Sequence, residues 1–147
     1  MDVKNKVIIV TGASSGIGEA TARQFGREGA KLVLAARRVD KLESLAQEIL
    51  AMGSGAETFV VQADLSKLED IQSLIKQTLD KCGRIDVLVN NAGFGRLDWL
   101  ENLDPVKDIQ AQFDVNVLGV IQTTRQVLPI MMKQRSGHII NMCSMAG

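Results

Sequence analysis

Four consecutive apolar β-branched residues, Val7-Ile8-Ile9-Val10, run straight into the glycine-rich segment Thr11-Gly12-Ala13-Ser14-Ser15-Gly16-Ile17-Gly18. A strand that is apolar at every position has both faces covered, which is the environment of a parallel sheet between helical layers. Parallel neighbours cannot be joined by tight hairpins, so the chain must return through crossover helices. The remaining sequence has the runs this demands: Leu32 to Ala36, Thr58 to Ala63, Ile85 to Asn90 and His138 to Met142 read as further buried strands, with amphipathic stretches between them. The order βαβαβαβαβ predicts an α/β fold, a doubly wound parallel sheet stopping after its fifth strand.

The helices carry their own signals. Asp40 with Glu43, and Ser66 with Glu69, are spaced as capping boxes. Leu42, Leu45 and Ile49 fall on one face of the second helix, as Leu68, Ile71 and Ile75 do on the third. The fourth helix is expected to start at Asp104 with Pro105 at its first position, where no N–H is needed. Pro129 should kink or end it, and Ser136-Gly137 should turn the chain into the last strand. The hydrophobic edge of that strand would be exposed, so the chain is expected either to be a fragment or to have a partner on that edge.

Composition excludes several functions. The 147 residues fit one domain. The 17 Lys and Arg balance 17 Asp and Glu, leaving no bulk field for nucleic acid or a lipid surface. Cys82 and Cys143 form no disulfide framework and no metal spacing with His138, which fits a reducing cytoplasm. The run Val7 to Val10 is too short for a secretion signal or a membrane span. Cys143 reads as a buried apolar cysteine, and His138 as a strand-start residue on the opposite strand face, too badly placed to activate it.

The chemistry lies in the glycine turn. Glycines between a strand and a helix let the backbone bend tightly and approach a pyrophosphate, while the helix N–H groups and dipole face the anion. Ser14 and Ser15 can add hydroxyl donors. The plainer reading is a turn that only lets helix and strand pack closely.

Further motifs accompany the turn. Asn90-Asn91-Ala92-Gly93 closes the fourth strand, Asn116 stands in Phe113-Asp114-Val115-Asn116-Val117, and Ser144 ends Ile139-Ile140-Asn141-Met142-Cys143-Ser144. With the Thr-Gly-x-x-x-Gly-x-Gly turn these four motifs are in register over the whole chain, which resembles the short-chain dehydrogenase/reductase family. The resemblance implies a Rossmann-like fold and an oxidoreductase that interconverts a hydroxyl and a carbonyl on a small organic substrate, in a homo-oligomer when complete. It implies cofactor contacts from Gly12, Ser14, Ser15, Gly16, Ile17, Gly18, Asn90, Ala92 and Gly93, with Ser144 orienting the reacting oxygen and Asn116 helping to hold a relay water. The family's general acid/base tyrosine and its lysine follow the fifth strand. This chain has no tyrosine and stops three residues after Ser144, so turnover by the chain as written is not expected.

Charge suggests which dinucleotide. An acid at the end of the second strand holds a ribose 2′-hydroxyl, whereas arginine suits a 2′-phosphate. Here that strand ends Ala35-Ala36-Arg37-Arg38, and the expectation is NADP(H) over NAD(H). The alternative is two solvated loop charges. Asp40 lies beyond the strand and reads as an N-cap. Asp64 is expected to bond the adenine amino group with Leu65 beside the ring, or else to be an ordinary turn aspartate. Two further readings compete with an oxidoreductase: a noncatalytic dinucleotide-binding module, and an inactive truncation product.

Overall fold

The computed structural model describes residues 2–144. Five strands, β1 (Val7–Thr11), β2 (Lys31–Ala36), β3 (Glu57–Gln62), β4 (Val87–Asn90) and β5 (His138–Asn141), form one sheet in the order β3-β2-β1-β4-β5. Every pairing is parallel, with Ile9 opposite Val33 on one side and Leu88 on the other. The chain therefore winds outward from β1 in both directions, and the order reverses between β1 and β4. That switch point is where open α/β sheets bind their ligands.

Alternate residues of β1 feed two cores. Ile8 and Val10 pack with Leu32, Leu34 and Val89 against Leu42, Leu45 and Ile49 of α2 (Val39–Ala51), beside Ala22 of α1 (Gly16–Arg27). Val7 and Ile9 pack with Val33 and Leu88 against Ile71, Leu74 and Ile75 of α3 (Leu68–Cys82). Val127 and Met131 of α5 (Val120–Gln134) join this second layer. Burying each large aliphatic side chain is worth about 1.5–3 kcal/mol, and β1 serves both layers at once.

Burial on both faces holds for the three central strands. At the sheet edges it does not: in β3 only Val61 is buried, and β5 has no buried residue. An edge strand has a neighbour on one side only, and an apolar run cannot reveal its place in the sheet.

Helix starts also depart from expectation. The N-caps of α2 and α3 are Arg38 and Lys67, and neither start has a side-chain cap. Asp40 sits inside the first turn of α2, where its charge faces the helix dipole. The Ser66 hydroxyl donates backwards to Asp64 Oδ1 at 2.8 Å instead of capping forwards, and Asp70 Oδ2 accepts the Asp64 N–H at 2.9 Å. Leu68 is exposed; the buried stripe of α3 is Ile71, Leu74, Ile75 and Thr78.

Asp104 caps its helix as expected, accepting the N–H groups of Val106 and Lys107 at 2.9 and 2.8 Å, with Pro105 in the first helical position. The helical run from Pro105 onward is not a uniform α-helix. Wider π-helical turns at Pro105–Gln110 and Asp114–Gly119 flank α4 (Ala111–Phe113) before α5 begins. Pro129 does not end α5, which runs on to Gln134 and closes on Arg135 with φ of 53°.

Candidate functional site

The Thr11 side chain ties the end of β1 to the end of β4. Its hydroxyl donates to the Val89 carbonyl at 3.0 Å and accepts the N–H groups of Asn91 and Ala92 at 3.0 and 3.1 Å, which uses every bond a hydroxyl can make. The Asn91 amide returns the connection, donating to the carbonyls of Thr11 and Gly12.

The two segments lie too close for side chains. A Cβ at Gly12 would stand 2.7 Å from Ala92 Cα, and the φ of 65° there already favours glycine. A Cβ at Gly18 would meet Asn91 Nδ2 at 2.3 Å and the Gly12 carbonyl oxygen at 2.5 Å. Gly12 and Gly18 are thus packing requirements, while Gly16, with open space around it, is favoured by its φ of 59°; the result is a helix N-terminus opening on a backbone cradle.

A cavity of about 370 Å³ lies over this cradle at the switch point. Of the residues singled out from sequence, Gly12, Ser14, Ser15 and Ile17 line it from the turn. Arg37, Arg38, Asp64 and Leu65 line it from the ends of β2 and β3, and Ala92 and Gly93 from the end of β4. Gly16 and Gly18 shape the turn without lining the cavity. Asn90 is turned into the sheet, 2% exposed, and donates to Thr124 Oγ1 and Asn141 Oδ1 at 3.0 and 2.9 Å. Its neighbour Asn91, just past the end of β4, lines the cavity instead. Phe94 and Val115 also line it, and no sequence motif singles them out as ligands.

Arg38 leans across the turn. Its Nη2 donates to Ser15 Oγ at 2.8 Å and Ser14 Oγ at 3.1 Å, so a guanidinium and two hydroxyls share one corner of the cavity. Asp64 sits across from it at the end of β3. Burial works to raise the Asp64 carboxyl, but the two bonds from Ser66 and the charges of Arg37 and Lys67 outweigh it and hold the group below the ordinary aspartate range.

Asn116 stands in the second π-helical turn and does not line the cavity. Its Oδ1 accepts the Phe94 N–H at 3.0 Å and its Nδ2 donates to the Phe94 carbonyl at 2.8 Å. The side chain is therefore committed to backbone on both sides. Ser144 follows β5 and is exposed. Cys143 is exposed, not buried: it lies past the end of β5 at Asn141, and β5 is itself an edge strand with no buried residue. For the same reason strand alternation does not set its orientation to His138.

A model of the short chain dehydrogenase family matches residues 6–147. The chain belongs to that family. Among curated short-chain relatives, it is 45% identical over 147 residues to an uncharacterized oxidoreductase of Listeria innocua, covering 100% of this chain and 58% of that one. It is 45% identical over 143 residues to a 3-oxoacyl-[acyl-carrier-protein] reductase of Synechocystis, covering 97% and 57%. The chain thus spans little more than half the length of these relatives. A crystal structure of a metagenomic short-chain oxidoreductase in complex with NADP superposes with a TM-score of 0.92 at 39% identity, covering 99% of this chain and 65% of that one. An alcohol dehydrogenase from the archaeon Thermococcus sibiricus, complexed with 5-hydroxy-NADP, gives 0.85 at 38% identity, covering 92% and 57%. Among the described residues, no helix is long and apolar enough to cross a membrane.

Proposed function

We propose that residues 1–147 are the NADP(H)-binding domain of a short-chain oxidoreductase that interconverts a hydroxyl and a carbonyl on a small organic molecule. The observation that carries this is the corner formed by Arg38, Ser14 and Ser15, with Arg37 beside it and no carboxylate ending β2. A forked cation with two hydroxyls suits a terminal phosphate on the ribose, where a carboxylate would repel it. The glycine cradle that a Cβ would fill, faced by the first turn of α1, suits a pyrophosphate. Asp64 and Leu65, at the outer end, suit the adenine, and two relatives of known structure are bound to NADP or its hydroxy derivative.

In this reading the nicotinamide cofactor, when bound, supplies the hydride. The chain orients it: Gly12 and the α1 N–H groups hold the pyrophosphate, Arg38 with Arg37 and the two serines hold the 2′-phosphate, and Ala92 and Gly93 wall the other half. Gly16, Ile17 and Gly18 set the path of the turn, while Asn90 acts by anchoring β4 to β5 through Asn141. Ser144 is proposed to orient the reacting oxygen. Asn116 is proposed to help hold the relay water, its side chain fixing Phe94 while each of its two bonded atoms keeps the capacity for one further hydrogen bond. The chain holds no tyrosine, so we assign it no acid/base of the family type, and turnover is proposed for the whole protein alone.

The exposed apolar side chains Phe113, Val117, Ile121, Leu128 and Met132 on the α4–α5 helical run support a homo-oligomer of the complete protein. The free cysteines Cys82 and Cys143 suit a reducing compartment, the cytoplasm. The test is to titrate the chain with NADPH, following the fluorescence of the nucleotide, and then add a panel of aldehydes and ketones. Saturable binding without NADPH consumption is expected. Absence of binding would remove the cofactor reading, and consumption would remove the assignment of turnover to the whole protein alone.

A further inference from the structure

The segment after β4 closes on the next helical run through three contacts in matching order. Gly93 lies against Asn116, where a Cβ would approach Oδ1 to 3.1 Å, and the adjacent Phe94 has both its N–H and its carbonyl bonded to the Asn116 amide. One step on, Gly95 faces Gln112, whose Oε1 accepts the Arg96 N–H at 3.3 Å. One step further, the Arg96 guanidinium pairs with Asp108 at 3.3 Å.

The three helix residues are spaced four apart, and the first two brace each other. Gln112 Nε2 donates to the Asp108 carbonyl at 2.9 Å. The Asp108 carboxylate is 8% exposed as a residue, and its second oxygen accepts the Asp104 N–H at 2.9 Å, which pins it to the helix start. A mostly buried carboxylate held by a backbone N–H on one oxygen and a guanidinium on the other is an anchor, since losing either partner would weaken the compensation of its charge. Asp108 and Asn116 stand in the two π-helical turns and Gln112 in α4 between them, and such turns commonly mark positions where a helix is shaped for function.

We propose that Asp108, Gln112 and Asn116 form a polar rail that sets the position of Gly93–Arg96, and that Gln112 and Asp108 are thereby positioning residues for the nicotinamide half of the cofactor site. The proposal rests on the cofactor reading above. Phe94 and Gly93 line the cavity on the β4 side, whereas Arg38 and Asp64 line it on the β2 and β3 side. Loosening the rail therefore touches one end of a dinucleotide and leaves the other.

The experiment compares the chain with its Gln112→Ala and Gln112→Glu variants. Two quantities are read: amide hydrogen exchange at Phe94 and Arg96, and affinity for NADPH beside adenosine 2′,5′-bisphosphate, which lacks the nicotinamide half. Gln112→Ala should speed exchange at Arg96 by about fivefold to tenfold, the scale of one lost hydrogen bond, and weaken NADPH by a similar factor. Adenosine 2′,5′-bisphosphate should bind as before. Gln112→Glu keeps an acceptor for the Arg96 N–H and should restore most of the protection there. Unchanged exchange at Arg96 would overturn the rail. Equal weakening of both ligands would overturn the positioning role, since general loosening does not distinguish the two halves. Failure of the unaltered chain to bind either ligand would instead remove the cofactor reading and the positioning role with it, while exchange would still decide whether the rail holds the loop.

Discussion

Thr11 and Asn91 are bonded to each other twice, the Asn91 N–H to the Thr11 hydroxyl and the Asn91 side chain to the Thr11 carbonyl, each at 3.0 Å. One strand end thereby fixes the other across the point where the sheet reverses its order. Thr11 is fully buried, so Thr11→Val would keep the shape and strand two backbone N–H groups without an acceptor. The expected loss is about 2–4 kcal/mol, read by urea denaturation. A loss within experimental error would show that the hydroxyl is not the link between the two motifs.

Gly18→Ala places a methyl group where Asn91 Nδ2 and the Gly12 carbonyl already sit. The backbone of the turn cannot yield cheaply, so about 1–3 kcal/mol of stability should go, together with NADPH binding. Gly83, whose φ is 71° but whose surroundings are open, provides the contrast. Gly83→Ala should cost conformational strain alone and leave binding intact. If the two variants bound NADPH equally well, the cradle would not be the pyrophosphate site.

Asp86 accepts the Val7 N–H at 2.9 Å and pairs with Arg84, locking the start of β1 to the entry of β4. Burial pushes its carboxyl up, but the Arg84 guanidinium and the Val7 N–H outweigh that and hold it below the ordinary aspartate range. Because the folded value lies below the unfolded one, the stabilisation is complete above the unfolded pKa and disappears as pH falls through the folded pKa. Asp86→Asn should therefore be clearly less stable than the native chain at neutral pH, and the gap should close in acid. Thermal melts at a series of pH values would show it; a gap independent of pH would mean that the charge contributes nothing.

The two thiols should separate kinetically. Cys143 is exposed, while burial pushes the half-buried Cys82 thiol above its usual pKa and so depletes its reactive thiolate. A disulfide reagent should label Cys143 first, as mass spectrometry of the peptides would report. Preferential labelling of Cys82 would contradict the exposed position of Cys143 beyond the sheet.

Much of this arrangement is legible in the residues because it rests on short-range patterns. An unbroken apolar run such as Val7–Val10 has few homes besides a doubly covered strand, and Asp104-Pro105 states a helix start unambiguously. What the residues conceal is position in the assembly. Thr58 to Ala63 and His138 to Met142 have the same look as the central strands but lie at the edges, and Cys143, next to the second of them, looks buried only while that strand is taken to be covered. At the site, the glycine turn and the arginine pair are visible because their chemistry is local. Phe94 and Val115 are not, since an apolar residue becomes a cavity wall only through tertiary neighbours, and the partner of Asn116 lies 22 residues away in sequence.

The measurement that bears most directly on the account is a paired titration of NADPH and NADH against the chain and its Arg38→Ala variant. The native chain should prefer NADPH by at least about tenfold, and the variant should lose most of that preference while its NADH affinity stays nearly unchanged. Equal affinity for the two nucleotides in the native chain, or a preference that survives removal of Arg38, would contradict the assignment of the Arg38–Ser14–Ser15 corner to the 2′-phosphate.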